Sequence, residues 1–177
     1  EARDKLEEAV KISQHNTEAR LKLITVYCQY ISDMEKGFFH FNKLLETFRL
    51  KNDPVQYLLQ FENSYHQFPN ALLPEKNFYY LAYSYAANGN FKYALEGYKQ
   101  FARNYPKSPL LPKVLFNAAK IYIYKTNEIQ LGQKMLYVIL KRFPMLHWKN
   151  SVENELEKIK KGDFQKNNFK SLEGGSK

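Results

Sequence analysis

Residues 75–106 read EKNFYYLAYSYAANGNFKYALEGYKQFARNYP, two apolar stretches on either side of an Asn88-Gly89-Asn90 turn. Phe78, Leu81, Ala82 and Tyr85 recur at intervals of three and four, the spacing that lines one side of a helix. Past the turn Phe91, Ala94, Tyr98 and Phe101 repeat the pattern. Asn88-Gly89-Asn90 supplies a turn between the two stretches, and Pro106 ends the second one. The segment is therefore expected to be a helical hairpin. One hairpin cannot bury its own apolar face, so neighbours of the same kind must stack on it.

The rest of the chain supplies them. An aromatic followed by proline closes three stretches, Phe68-Pro69, Tyr105-Pro106 and Phe143-Pro144, with the prolines 37 and 38 residues apart. Met34, Phe38, Phe41, Leu45 and Phe48 form one helical stripe, and Val55, Leu58, Leu59, Phe61, Tyr65 and Phe68 form another. No stretch alternates apolar and polar residues long enough to require a strand. Asp53-Pro54 and Ser108-Pro109 offer an N-cap acceptor with proline at the first helical position. Asn150 with Glu153 reads as a capping box. Eight or nine helices follow, in about four hairpins closed by a capping helix at 150–161. Leu6 to Ile12 reads as the second helix of an incomplete unit. Leu23, Ile24 and Tyr27 pair with Gly37, Phe41 and Leu44, and the partner of helix 54–68 stays open. The repeat domain spans residues 1–161. Residues 162–177 are expected to be a flexible tail that ends, from Leu172, in a linker-like Glu-Gly-Gly-Ser-Lys.

Phe78, Leu81, Ala82, Tyr85, the Asn-Gly-Asn turn, Phe91, Ala94, Tyr98 and Pro106 resemble the tetratricopeptide repeat, about 34 residues of helix–turn–helix. The resemblance covers most of residues 2–145. It implies an all-α fold, a right-handed α-α superhelix of stacked hairpins, and a non-enzymatic scaffold or adaptor that binds other proteins. Phe101 stands where that family usually has Ala. With Tyr98, Tyr105-Pro106 and Ser108-Pro109 it resembles the BamD- and YbgF-type repeat proteins of bacterial cell envelopes. That implies a location on the periplasmic side or beside the outer membrane, in the company of lipoproteins. A cytosolic chaperone or secretion adaptor is the alternative.

Net charge is +9, from 27 Lys and Arg against 18 Asp and Glu. It is uneven: residues 1–75 carry −2, residues 76–125 carry +7 and residues 126–177 carry +4. A basic stretch of this kind suits an acidic protein partner or an anionic membrane surface; a nucleic-acid-binding role is a further alternative. It also suits a plain solvated lysine surface. The single cysteine, Cys28, excludes an intramolecular disulfide and a cysteine-based zinc site. His15, His40, His66 and His147 have no ligand spacing, and no nucleophile elbow or phosphate-cradling glycine loop is present. No enzyme activity, cofactor, metal or small-molecule substrate is expected. Cys28, between Ile24 and Ile31, is expected in the core.

In the resembled family the inner groove is lined by positions that here are Lys76, Tyr79 and Tyr83, then Lys113, Phe116 and Lys120. Aromatics among lysines suit an acidic peptide or helical segment with apolar anchors. The same tyrosine and phenylalanine positions equally suit packing against adjacent helices. Phe39 lies off the stripe of its helix, so it is either an exposed anchor or part of a second buried face. Trp148 either covers the apolar edge of the last repeat or anchors a partner.

Overall fold

The computed structural model describes residues 1–163; of the expected tail, residues 164–177 lie outside the described residues. Nine α-helices follow in order among them: α1 Ala2–Ile12, α2 Thr17–Thr25, α3 Met34–Leu50, α4 Pro54–Ser64, α5 Glu75–Ala87, α6 Phe91–Asn104, α7 Leu111–Tyr124, α8 Ile129–Arg142 and α9 Lys149–Lys161. A π-helical segment Val26–Ile31 prolongs α2, and a 3-10 turn Tyr65–Gln67 prolongs α4. No strand occurs among the described residues, as expected for an all-α chain. The chain divides into two compact units, Glu1–Asn88 and the residues from Gly89 on. In the first, α1 packs on α2, α2 on α3, and both α3 and α4 on α5. In the second, α6 packs on α7, α7 on α8 and α8 on α9.

Two kinds of turn alternate, and together they explain the repeat. In the first kind one residue takes a positive φ and the next caps a helix. Ser32 (60°), Asn52 (51°), Gly89 (79°) and Asn127 (61°) precede Asp33, Asp53, Asn90 and Glu128. The side chains of Asp33 and Asp53 accept from the backbone N–H of Lys36 and Gln56, each at 3.0 Å. Asp53 thus caps α4 ahead of Pro54, as its sequence requires. In the second kind an aromatic ends the helix at φ −126°, −128° and −127° for Phe68, Tyr105 and Phe143. Its carbonyl accepts from the N–H three residues on: Ala71 at 3.0 Å, Ser108 at 3.1 Å and Leu146 at 3.2 Å. Proline follows the aromatic each time and pre-sets the backbone for that turn. The aromatic-proline spacing is the spacing of one recurring turn.

Helix α4 is the extra element of the first unit. Between α1 and Phe68-Pro69 the chain makes three helices, α2, α3 and α4, where one first helix and one second helix suffice elsewhere. The order inside that trio is set by glycine. Gly37 is the fourth residue of α3, as Gly132 is of α8 and Ala94 of α6. A β-carbon on Gly37 would lie 2.4 Å from the Cys28 sulfur, and one on Gly132 would lie 2.5 Å from Ile123 Cγ1. Both close the gap to the preceding helix, so α3 pairs with α2 as its second helix. Helix α4 then packs on both α3 and α5, which answers the question its sequence left open. Phe61, Tyr65 and Phe68 meet Phe38 and Phe41 with ring centroids 5.3–6.4 Å apart.

Two expected helix starts are corrected. Ser108 does not cap α7: its hydroxyl accepts from the Leu110 N–H at 2.9 Å, inside the turn, and the helix begins at Leu111 with Pro112 in its first turn. The capping box at Asn150 is absent, because a turn from Leu146 to Lys149 starts α9 at Lys149 with Trp148 in the N-cap place. Glu153 pairs instead with Lys149 at 3.2 Å.

Candidate functional site

Helix α3 decides which side chains the first unit offers. Its inner face, Gly37, His40, Phe41, Leu44, Leu45 and Thr47, is buried. Its outer face carries Phe39, Lys43, Glu46 and Leu50, spaced four, three and four residues apart and therefore in one line along the helix. Phe39 is 54% exposed, a large apolar surface left in water. Its ring stands edge-on to His40 at 5.3 Å, which fixes its direction. Lys43 pairs with Glu46 at 2.8 Å and Arg49 with Glu46 at 3.3 Å.

This ridge separates two hollows and contributes Phe39, Lys43 and Glu46 to both. One, of about 640 Å³, lies between α3 and the start of α5 and is walled by Phe38, Arg49, Lys76 and Asn77. The other, of about 630 Å³, lies between α1 and α3 over Val10, His15, Arg20 and Leu50. Their walls are held by polar ties. Asn77 accepts from Arg49 Nε at 3.3 Å and donates to the Asn42 carbonyl at 3.2 Å, while its own carbonyl accepts from Tyr57 at 2.6 Å.

Beneath the second hollow Glu7, Tyr27, His40 and Arg20 form one network. Glu7 Oε1 accepts from the Tyr27 hydroxyl at 2.6 Å and lies 3.3 Å from His40 Nε2. His40 Nδ1 lies 3.3 Å from an Arg20 nitrogen, and Arg20 donates twice to the Gln14 carbonyl at 2.8 and 3.1 Å. Guanidinium groups only donate, so Nδ1 accepts and the proton sits on Nε2, facing Glu7. Burial pushes the His40 pKa below its ordinary value against the opposing pull of Glu7, so the ring is neutral at neutral pH. Burial also raises the Tyr27 hydroxyl, with the bond to Glu7 adding to it, to about 12. Burial works to raise the Glu7 carboxyl, but Tyr27 and His40 outweigh it and hold it below the usual value. Every group is engaged by a neighbour, so the network ties α1, α2 and α3 together and presents no general base or nucleophile. Cys28 faces Gly37 in the core, and burial raises its thiol away from the reactive thiolate. Among the described residues no three His, Cys, Asp or Glu side chains converge as metal ligands would.

The six groove positions divide between the two units. Lys76 lines the hollow beside Phe39, so the structure brings a groove position of α5 together with the exposed ring of α3. Tyr79 is only 4% exposed and Tyr83 is half-buried with its ring 5.3 Å from Tyr80. In the second unit Phe116 is 2% exposed and belongs to the core of Ala119, Ile123, Leu136, Ile139, Val152 and Leu156. Trp148 packs edge-on to Phe116 at 5.3 Å and is half-buried, which is the covering role. Lys120 is buried with its ammonium 5.7 Å from the Phe116 ring, and burial lowers its pKa. Lys113 is half-buried on α7. Phe116 and Lys120 line a hollow of about 430 Å³ against α9, with Glu155 and Lys158 opposite. Tyr79 and Phe116 thus fill packing space, the second of the two roles their positions allowed.

Sequence reasoning singled out Phe39 but not the line it heads. The signal was present: Phe39, Lys43, Glu46 and Leu50 form a second stripe on a helix whose first stripe already satisfies the core.

The family model of the tetratricopeptide repeat matches residues 76–108, which take in α5 after its first residue, α6 and the proline turn that follows. No curated protein matches the chain. Residues 76–108 are therefore similar to one tetratricopeptide repeat, in the place where the hairpin motif is clearest.

Proposed function

We propose that the chain is a non-enzymatic scaffold that binds a protein partner across the outer ridge of α3. The observation that carries this is Phe39, a large exposed ring held by His40 between two hollows that its own helix helps to wall. A partner side chain placed in either hollow would cover Phe39, and burying such a ring on association gives the central anchor that protein interfaces depend on. Lys43, Glu46, Arg49 and Lys76 around it offer charges of both signs, which set register more than affinity. The tetratricopeptide match supports the same reading, because such repeats present helix faces to other polypeptides. The partner is a peptide or helical segment with an apolar anchor. The resemblance of Tyr98, Phe101, Tyr105-Pro106 and Ser108 to envelope proteins extends the reading to a bacterial cell envelope, on its periplasmic side.

A photo-crosslinking amino acid at Phe39 is expected to trap one polypeptide in native membranes and extracts, and Phe39→Ala should weaken its binding at least ten-fold in calorimetry. Val55→Ala, at an exposed valine of α4 that lines neither hollow, should leave binding unchanged. Equal binding by the Phe39 variant, with helicity intact, removes the ridge from consideration.

A further inference from the structure

The outer face of α8 carries a different surface. Residues Gln130, Leu131, Lys134, Tyr137, Val138, Lys141 and Arg142 are all exposed, while Gly132, Leu136 and Ile139 are buried. At about 100° per residue the exposed set falls within an arc of about 140°. Tyr137 and Val138 are 49% and 47% exposed, and Met145 beyond the helix end is almost fully so. The helix, IQLGQKMLYVILKR, contains no acid. Some exposed lysines on other helices are matched by a nearby acid, as Lys5 is by Glu1, Lys22 by Glu18 and Lys161 by Glu157. Lys134 and Lys141 make no ion pair among the described residues. Arg142 donates to the Pro106 carbonyl at 3.1 Å, which brings the end of α8 to a loop where Lys107 is exposed. Residues 89–163 carry 14 Lys and Arg against 6 Asp and Glu.

From this face we infer that the second unit docks on an anionic lipid surface through α8. Apolar and tyrosine side chains interleaved with uncompensated cations on a single helix face are the physical pattern of interfacial binding. The cations meet lipid phosphates while the apolar groups enter the headgroup boundary. A peptide partner would need a hollow to fill, and the three hollows described above are walled by other helices. No helix among the described residues is long and apolar enough to cross a membrane, so the contact lies at its surface.

Sedimentation with vesicles of 70% phosphatidylcholine and 30% phosphatidylglycerol tests this with the whole chain. Binding is expected to these vesicles, not to pure phosphatidylcholine, and to fall steeply with salt. Lys134→Glu with Lys141→Glu should lower partitioning on the order of ten-fold or more. Tyr137→Ser with Val138→Ser, which keeps the charge, should lower it several-fold. Tyr137→Trp should gain emission that brominated lipid quenches, over the constant background of Trp148. Binding that the apolar pair leaves unchanged, or that soluble polyglutamate competes away at equal charge, would overturn the lipid assignment in favour of an acidic polypeptide. Retention of binding by the charge-reversed pair would remove α8 altogether. All four substituted positions are exposed, so circular dichroism should be unchanged throughout.

Discussion

The hairpins α2–α3 and α7–α8 solve one packing problem in two ways. Each second helix carries a glycine as its fourth residue, and each glycine admits the first helix to close range. At Gly37 the intruding atom is the Cys28 sulfur, the end of a short side chain on a π-helical segment. At Gly132 it is Ile123 and, 2.8 Å from a would-be β-carbon, the backbone oxygen of Ala119. A side chain can be trimmed or turned aside, and a backbone carbonyl in mid-helix cannot. The two hairpins are also tied to their terminal helices by the same device. Tyr27 donates to Glu7 of α1, and Tyr124 donates to Glu155 of α9. In the first tie the carboxylate is partly solvated and shared with His40. In the second it is buried and shared with Lys158 at 2.9 Å.

The largest expected effect follows from the carbonyl. Gly132→Ala should destabilise the second unit by about 2–4 kcal/mol, even though alanine favours a helix by about 1 kcal/mol over glycine. Trimming Ile123 to Val should recover little of it, because the Ala119 oxygen stays. Urea unfolding followed by Trp148 fluorescence measures both, and a neutral Gly132→Ala would show that α7 and α8 can part without cost.

Next comes the buried tie. Tyr124→Phe leaves Glu155 with one donor fewer in a buried site and should cost about 1.5–3 kcal/mol. Tyr27→Phe leaves Glu7 with water and His40 and should cost about 0.5–1.5 kcal/mol. Equal losses in the two variants would mean that burial of the carboxylate does not set the difference.

The smaller glycine effect discriminates more sharply. Gly37→Ala should cost about 1–2 kcal/mol, and Cys28→Ala in the same chain should restore most of it. The pair is therefore expected to be strongly non-additive. Additive losses would mean that the sulfur is not what the new methyl meets.

How far the sequence carried the reading can be judged from these elements. The hairpins, the turn at Gly89, the cap at Asp53 and the aromatic-proline turns were legible, since each rests on a residue type whose backbone preference is strong and local. Gly37 and Ala94 fall in the repeat pattern, but the close approach that gives Gly37 and Gly132 their purpose is not legible, because the partner atoms lie on another helix. The π-helix at Val26–Ile31 has no local signal; it carries the Cys28 side chain that packs on Gly37. The start of α9 was misplaced because Asn150 and Glu153 satisfy a local pattern that the turn at Leu146 overrides. Phe39 was legible as a residue off its stripe. The burial of Tyr79 and Phe116 was not, since a tyrosine or phenylalanine on a helix has the same spacing whether it faces a groove or a neighbour.

The smallest effect separates the two ties by pH. In the first unit His40 is held neutral, with Nε2–H toward Glu7 and Nδ1 accepting from Arg20. Protonation would set an N–H against the guanidinium. With the folded pKa below 6.5, the unfolded chain takes up the proton first, so stability is fully present above that value and falls as the solution is acidified through it. Glu7, whose pKa is also depressed, adds its loss only below about its ordinary 4.5, so the range from pH 7 to pH 5 isolates the histidine. The tie at Tyr124 and Glu155 contains no imidazole. Amide-exchange protection, corrected for intrinsic rates, should therefore fall across Leu23–Leu45 over that range and stay level across Ala119–Leu136. His40→Gln should flatten the first profile at some cost in stability at pH 7. A first unit whose protection ignores pH would mean that Arg20 yields to the protonated ring, and that the tie is held by Glu7 and Tyr27 alone.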